Sequence, residues 1–408
     1  MAEPSTPGWW GTTFGSLKNR EYRWFWMGVV LDFAALQMQI LARGWLVYQM
    51  TSSPLALGLV TVGWGLPVLL FSLVGGAVVD RVPKRRIIIG TEAIFSLVSF
   101  LVAGLILSAS VALWHLVSAA VVMGLAFTLN GPARMSFIPE LVEKDGMMNA
   151  YALNYAGLNL MRVAAPAIGG LLVAVIGVGW VYLLTAFLYG LSTLTLTLVG
   201  VKGESNHQGT SLATDLRYVM SFVRGSPTVP YLLGMFLGVS VLAMPYMFLL
   251  PVFAADVLRV GEVGLGWMMA TMGLGAVVGT LAVASLGDYR RKGLLLLGLA
   301  LLFGLSLLLF SLSTVFALSL IALLMVGAGN MGYMAVNQAL LQSHTPSELR
   351  GRVSSLTMFS FGMATLGVLG FSALAEVWGA PLSVGMGGVT LLVVALLSVL
   401  RPCLRNIR

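Results

Sequence analysis

Few side chains in this 408-residue chain could do chemistry inside an apolar segment, and three of them share one helical face. Asp32, Gln39 and Arg43 are 7 and 4 residues apart. At 100° per residue they fall within about 40° of one another. An ionisable group in hydrocarbon is costly, so these three must face a bundle interior or a water-filled cavity. Asp32 has the chemistry of a titrating carboxylate: desolvation favours its protonated form and a nearby Arg its ionised form. A motion that shifts that balance would couple a proton to the motion. Arg162, at similar depth in a later apolar segment, is the expected partner. A static buried ion pair is the competing reading.

The elements that must hold these groups are twelve apolar runs, near 24–48, 54–79, 87–108, 112–131, 149–175, 179–199, 229–253, 264–287, 293–311, 313–339, 354–377 and 381–400. A membrane helix needs about 20 such residues, and each run suffices. With the amino terminus placed in the cytoplasm, the alternation puts 20 of the 23 Lys and Arg on the inner side, Arg134 among them. Arg259 alone falls outside, and Arg43 and Arg162 lie within spans. This asymmetry is that of the positive-inside rule, and an odd number of spans would destroy it. Trp45, Trp114, Trp180, Trp267 and Trp378 fall at outer helix ends, where an aromatic belt is expected.

Composition agrees. Charged residues are 9% and hydrophobic residues 58% of the chain, against about 25% charged in a soluble domain. Only helices or closed barrels satisfy a backbone in lipid, so this reads as an all-α membrane protein. The net charge of +8 is the inner-face excess lying against anionic headgroups, and no nucleic-acid partner is expected. The single cysteine, Cys403, excludes an intramolecular disulfide and suggests no Cys-based metal site. The first apolar run is too long for a signal peptide and holds Asp32 and Arg43, so it reads as an uncleaved helix.

The polar stretch 200–228 divides the runs six and six, giving residues 1–199 and 229–408 as two bundles. Within the linker Leu212, Leu216, Val219 and Val223 form a helical stripe, the pattern of a short surface helix. The halves echo each other: A-V-V-D-R-V-P-K-R-R follows span 2 and S-L-G-D-Y-R-R-K-G follows span 8. A duplicated six-helix unit suggests a transporter whose halves rock about a midplane site. A membrane enzyme or receptor is the alternative, but there is no His cluster, no paired carboxylates at helical spacing and no nucleophile motif.

The loop after span 2 carries Gly76, Asp80, Arg81, Arg85 and Arg86, and its weaker copy Asp288, Arg290 and Arg291. Gly76 permits close helix approach. Asp80 can accept hydrogen bonds from a helix amino terminus, and the Arg cluster can reach carboxylates or helix carbonyl ends across the bundle interface. Such bonds could lock one face shut, or serve only as a topological anchor. G-x-x-x-D-R-x-x-x-R-R resembles the signature loop of the major facilitator superfamily. W-L-V-Y-Q-M-T-S-S-P-L-A-L-G (45–58), P-A-R-M-S-F-I-P-E-L-V (132–142), N-L-M-R-V-A-A-P-A-I-G-G (159–170), L-L-P-V-F (249–253) and P-S-E-L-R-G-R-V-S-S-L (346–356) are similar to its enterobactin-exporter and macrolide-efflux branch.

The resemblance implies a major facilitator fold, twelve transmembrane helices in two six-helix bundles around a central cavity. It implies that A-P-A-I-G-G, with Pro166, Gly169 and Gly170, is the span-5 motif of antiporters, kinked and thinned at a packed interface. Drug antiporters often carry an Arg in span 4, four residues before a Gly. Ahead of Gly124 this chain has Ala120, so Arg162 is the expected replacement. Asn130, Asn330 and Asn337 sit in spans that line the cavity in this superfamily. Met247, with Met38, Met244, Phe248 and Met334, would give an adaptable apolar wall or simple packing. Glu92 is expected to pair with the basic loop, and Glu376 and Arg43, near outer helix ends, to be outer-gate or merely interfacial residues.

The expected function is proton-driven export of an amphipathic or apolar small molecule, drug-like or siderophore-like, by a monomer in a prokaryotic inner membrane with both termini cytoplasmic. The expected partners are substrate, protons and membrane lipids. No cofactor, metal or enzymatic activity is expected, and no nucleotide motif suggests direct use of ATP. Movement of lipids or lysolipids between leaflets is the nearest alternative. A non-transporting sensor or enzyme is the more distant one.

Overall fold

The computed structural model describes residues 14–79, 81–201, 220–287, 289, 291–346 and 349–399, and these form helices and short connections with no strand among them. The first bundle comprises α1 (Arg20–Thr51), α2 (Pro54–Val79), α3 (Lys84–Leu107), α4 (Leu113–Leu141), α5 (Met147–Ile176) and α6 (Val178–Thr197). The second comprises α7 (Val229–Val257), α8 (Gly261–Ser285), α9 (Lys292–Leu312), α10 (Phe316–Ser343), α11 (Arg350–Trp378) and α12 (Ala380–Val399). Eleven are long and apolar enough to cross a membrane over their described residues; the twelfth, α11, has a shorter apolar stretch, Gly362–Trp378. Residues 220–225 are helical. The expected linker stripe at Leu212, Leu216 and Val219 lies outside the described residues.

Helix α4 exceeds its expected end at residue 131 by ten residues, through Pro132 and Pro139. A proline removes one donor and leaves the carbonyl four residues earlier without its helical partner. In a membrane protein such helices persist when neighbours satisfy the freed group. The Tyr151 hydroxyl does so for Met135, donating to its carbonyl at 3.4 Å. Asn19 then joins two helix ends. Its Oδ1 accepts from the Glu21 and Tyr22 N–H groups at 2.9 and 3.3 Å, starting α1. Its Nδ2 donates to the Leu141 carbonyl at 2.8 Å, closing α4.

Helix α7 is broken by two π-helical turns, Val239–Ala243 and Phe253–Val257, beside Pro245 and Pro251. Such turns absorb missing N–H donors and bend a helix. The bend lays the middle of α7 on α1, where a Cβ added to Gly44 would stand 3.1 Å from Pro251.

Two helix pairs carry the interface between bundles. Helix α5 meets α8 through Gly170, Gly266 and Gly273: a Cβ on Gly266 would lie 2.7 Å from the Pro166 carbonyl oxygen, and one on Gly273 2.7 Å from that of Arg162. Helix α2 meets α11 in the same manner, with Gly58 against Ser372 and Gly362 against Leu69. Small residues seven apart bring backbones together over two turns.

Among the described residues, three side-chain hydrogen bonds join the bundles at the face opposite the basic loops, here called the distal face. Tyr48 donates its hydroxyl to the Asp256 carboxylate. Glu376 accepts from the Ser53 hydroxyl at 2.7 Å and from the Leu55 N–H at 3.0 Å. Leu55 opens α2, so a carboxylate from the second bundle caps a helix of the first. Of the tryptophans expected at this level, Trp114, Trp180, Trp267 and Trp378 are exposed, but Trp45 is buried in the core. That expectation is corrected: α1 continues to Thr51, so Trp45 lies inside the bundle.

Candidate functional site

Asp32 on α1 lies beside Glu92 on α3 and 3.6 Å from the Arg134 guanidinium on α4. Arg134 Nη2 donates to Glu92 Oε1 at 2.5 Å and lies 3.4 Å from the Ser192 hydroxyl of α6. Asn130, one turn before Arg134, donates from Nδ2 to Glu92 Oε1 at 3.0 Å and to Thr91 Oγ1 at 2.8 Å. Four helices thus hold two carboxyl groups around one guanidinium. Fully ionised, the cluster carries one net negative charge, and one proton makes it neutral. Net charge in a low-dielectric interior is costly, so proton occupancy, cluster geometry and water access are linked. Glu92 is fully buried, whereas the Asp32 side chain is 14% exposed. Asp32 is therefore the member that can exchange a proton with the cavity.

That cavity, of about 170 Å³, runs along α1. Its walls include Asp32, Gln39, Arg43, Asn130 and Met247, all expected to line it, together with Trp64, Phe95, Phe127, Tyr189 and Phe248. Gln39 is held in place by donating to Ser99 Oγ at 2.8 Å and accepting from the Tyr189 hydroxyl at 3.2 Å. Trp64 and Phe127 pack with ring centroids 5.2 Å apart, and Phe95 and Tyr189 at 5.4 Å. The surface suits a flat apolar body with a few polar groups.

Other expected residues lie elsewhere. Arg162 does not reach Asp32; its Nη1 lies 3.8 Å from Met331 Sδ at the bundle interface. The expected Asp32–Arg162 pair is thus replaced by Asp32–Arg134. Arg134 is not a basic residue of the inner loops but a buried one, because α4 continues past Pro132. Glu92 likewise pairs with Arg134 and not with the basic loop. Asn337 donates to the Leu232 carbonyl at 3.2 Å and packs by Tyr333. Asn330 sits near Tyr246. Neither lines the cavity of α1.

In the signature loop Arg85 donates to the carbonyls of Leu196 and Thr197, at 3.0 and 2.5 Å, capping α6 of its own bundle and not the facing one. Lys84 pairs with Glu140 of α4. Arg81, Arg86 and Arg291 are at least partly exposed and Gly76 lies within α2. Asp80, Asp288 and Arg290 lie outside the described residues. In the span-5 motif Pro166 and Gly170 face α8, whereas a Cβ on Gly169 would meet Met38 of α1 at 3.3 Å.

Sequence reading missed Arg134 and Glu92 as a pair with Asp32. One signal was present: Asn130 and Arg134 are four apart and so share a helical face. It was hidden because the fourth apolar run ends at residue 131, which leaves Arg134 in a loop.

The model of a family described as transmembrane secretion effector matches residues 11–406. Over 396 residues the chain is 25% identical to the multidrug efflux pump Tap of Mycolicibacterium fortuitum, covering 93% of this chain and 96% of that one. It is 29% identical over 339 residues to the enterobactin exporter EntS of Escherichia coli O81, covering 79% of each. Among solved structures, the nucleoside transporter NupG superposes with a TM-score of 0.77 at 12% identity, covering 93% of this chain and 99% of that one. These proteins are transporters, and the two with sequence similarity are exporters.

Proposed function

The chain belongs to the transmembrane secretion effector family of major facilitator transporters, and from that premise we propose that it exports an amphipathic small molecule, drug-like or siderophore-like, in exchange for protons. Membership carries the coarser statement, a multi-pass secondary transporter of a small molecule. The drug-efflux and siderophore-export relatives support the direction and the cargo class. The observation that supports proton exchange is the cluster of Asp32, Glu92 and Arg134, two acids sharing one guanidinium with Asp32 open to the cavity.

The mechanism follows from that geometry. With the distal face held by Asp256 and Glu376, the cavity exchanges with the basic side, taken as cytoplasmic by the positive-inside rule. Substrate enters against the aromatic wall, and Asp32 releases its proton to the cytoplasm as Arg134 turns towards it. Rocking opens the distal side, where Asp32 takes up a proton, Arg134 relaxes onto Glu92 and substrate leaves. The protein acts as a monomer in the bacterial inner membrane, with both termini in the cytoplasm.

The test uses purified protein in liposomes with an imposed pH gradient. Efflux of an amphipathic dye should require the gradient, and adding dye should drive counter-movement of protons read by an internal pH indicator. Dye flux that ignores the pH gradient while following a sodium gradient would overturn proton exchange and leave export standing.

A further inference from the structure

Among the described residues Arg43 is the only cation on the walls of the α1 cavity, and it has no ion pair and no hydrogen bond there. It lies 11 residues after Asp32 on the same helix, about 16 Å along the axis. That distance separates it from the Asp32–Glu92–Arg134 cluster, which already has its own guanidinium. The polar side chains around Arg43 are the phenols of Tyr182 and Tyr189, the Gln39 amide and the Thr61 hydroxyl, all uncharged and so unable to balance a cation. Arg162, with its Nη1 3.8 Å from Met331 Sδ, lies at the α5–α8 interface and does not line this cavity.

A guanidinium facing a low-dielectric cavity gains most from an anion it can bind through two parallel N–H groups. Trp64 and Phe127, a paired aromatic wall, line the same cavity. We propose that Arg43 is the anion-recognition residue of the cavity, and that the preferred substrate is an aromatic or broadly apolar acid. Its carboxylate or phenolate pairs with Arg43 while its flat body lies on Trp64 and Phe127. The inference rests on the transport reading for its biological meaning but stands on binding alone for its test. Arg43 thereby sets specificity, and Asp32 at the far end sets coupling. Charge separation along one helix lets an anionic substrate and a proton site coexist without pairing with each other.

The test is equilibrium binding to the purified full-length protein of three probes with one ring system: naphthalene-2-carboxylate, naphthalene-2-carboxamide and 2-naphthylmethylammonium. The carboxylate should bind about tenfold tighter than the amide, the scale of one charge-assisted bond, and the ammonium weaker than either. Arg43→Gln should bring carboxylate and amide to equal affinity, and Arg43→Lys should restore part of the preference. Both variants are checked for a monodisperse elution profile and an unchanged melting temperature. If Arg43→Gln does not fold, the wild-type order and the Arg43→Lys ratio still decide the matter. Equal wild-type affinities, tightest binding by the ammonium, no measurable carboxylate binding, or a preference that survives in Arg43→Gln would each overturn the proposal. Selective carboxylate binding without any gradient-driven flux would instead leave Arg43 in place and defeat the transport mechanism.

Discussion

Removing the Arg134 guanidinium would leave Glu92 fully buried beside Asp32 with no counter-charge. Breaking a buried pair from one side costs about 3–5 kcal/mol, much more than the pair contributes net. Arg134→Met should therefore lower the melting temperature in detergent markedly, and Glu92→Gln added to it should recover much of the loss. A double variant as unstable as the single would mean that the lost packing, not the stranded charge, is at fault. Asp32→Asn is expected to behave differently, because it keeps the Arg134–Glu92 bond and removes only the proton that reaches the cavity. That variant should fold, retain downhill substrate exchange and lose pH-gradient-driven flux to the level of empty liposomes; full gradient-driven flux would remove Asp32 from coupling. The face shared by Asp32, Gln39 and Arg43 was legible in the sequence, since one helical period decides it. The partner of Asp32 was not. It depends on how α1, α3 and α4 pack, and nothing in the spacing of residues 32, 92 and 134 encodes that.

Adjacent glycines in α5 point at different helices, which separates their consequences. A bulky side chain at Gly170 would strike the α8 backbone at Glu262 and Gly266, across the interface between bundles. One at Gly169 would press on the Met38 side chain within its own bundle, and a flexible methionine can yield. Gly170→Leu should therefore slow the transport cycle strongly while leaving substrate affinity in detergent nearly unchanged. Gly169→Leu, whose target Met38 lies on the helix that carries the cavity residues, should weaken affinity more than it slows the cycle. Comparing binding constants with saturated transport rates in one preparation checks both, and identical profiles for the two variants would defeat the distinction. The span count and the twelve runs were legible because hydrocarbon thickness sets a length that composition reports directly. The full length of helix α4 escaped because its last ten residues, 132–141, lie beyond the apolar run that ends at 131. A distant Tyr151 hydroxyl and the Asn19 side chain satisfy its carbonyls, and such rescue is visible only in three dimensions. Which glycine faces which neighbour is likewise a property of the packed pair, not of the motif.

For the whole molecule, the distal face is held by two carboxylates of the second bundle bonded to donors of the first. Asp256 takes the Tyr48 hydroxyl, and Glu376 takes both the Ser53 hydroxyl and the Leu55 N–H at the start of α2. These bonds exist only while the bundles touch there, so they contribute to one conformation and not to the other, which is the requirement for shifting a two-state equilibrium. The Glu376 bonds are exposed, and together they should contribute about 1 kcal/mol, roughly fivefold in the population ratio. The Tyr48–Asp256 bond is more sheltered and should contribute at least as much. Glu376→Gln weakens the charge-assisted cap, Glu376→Ala removes it, and Asp256→Asn weakens the second latch. Spin labels on the distal ends of α2 and α11 should show a growing long-distance population in the order wild type, Glu376→Gln, Glu376→Ala, and Glu376→Ala with Asp256→Asn. Labels on the basic ends of α4 and α10 should move the opposite way if the bundles rock as bodies about the α2–α11 and α5–α8 glycine contacts, as proposed. Distances that widen on the distal face without narrowing on the basic face would mean local fraying of α2. Distances unchanged in the double variant would show that apolar packing such as Gly44 against Pro251, and not the two carboxylates, keeps the distal face closed.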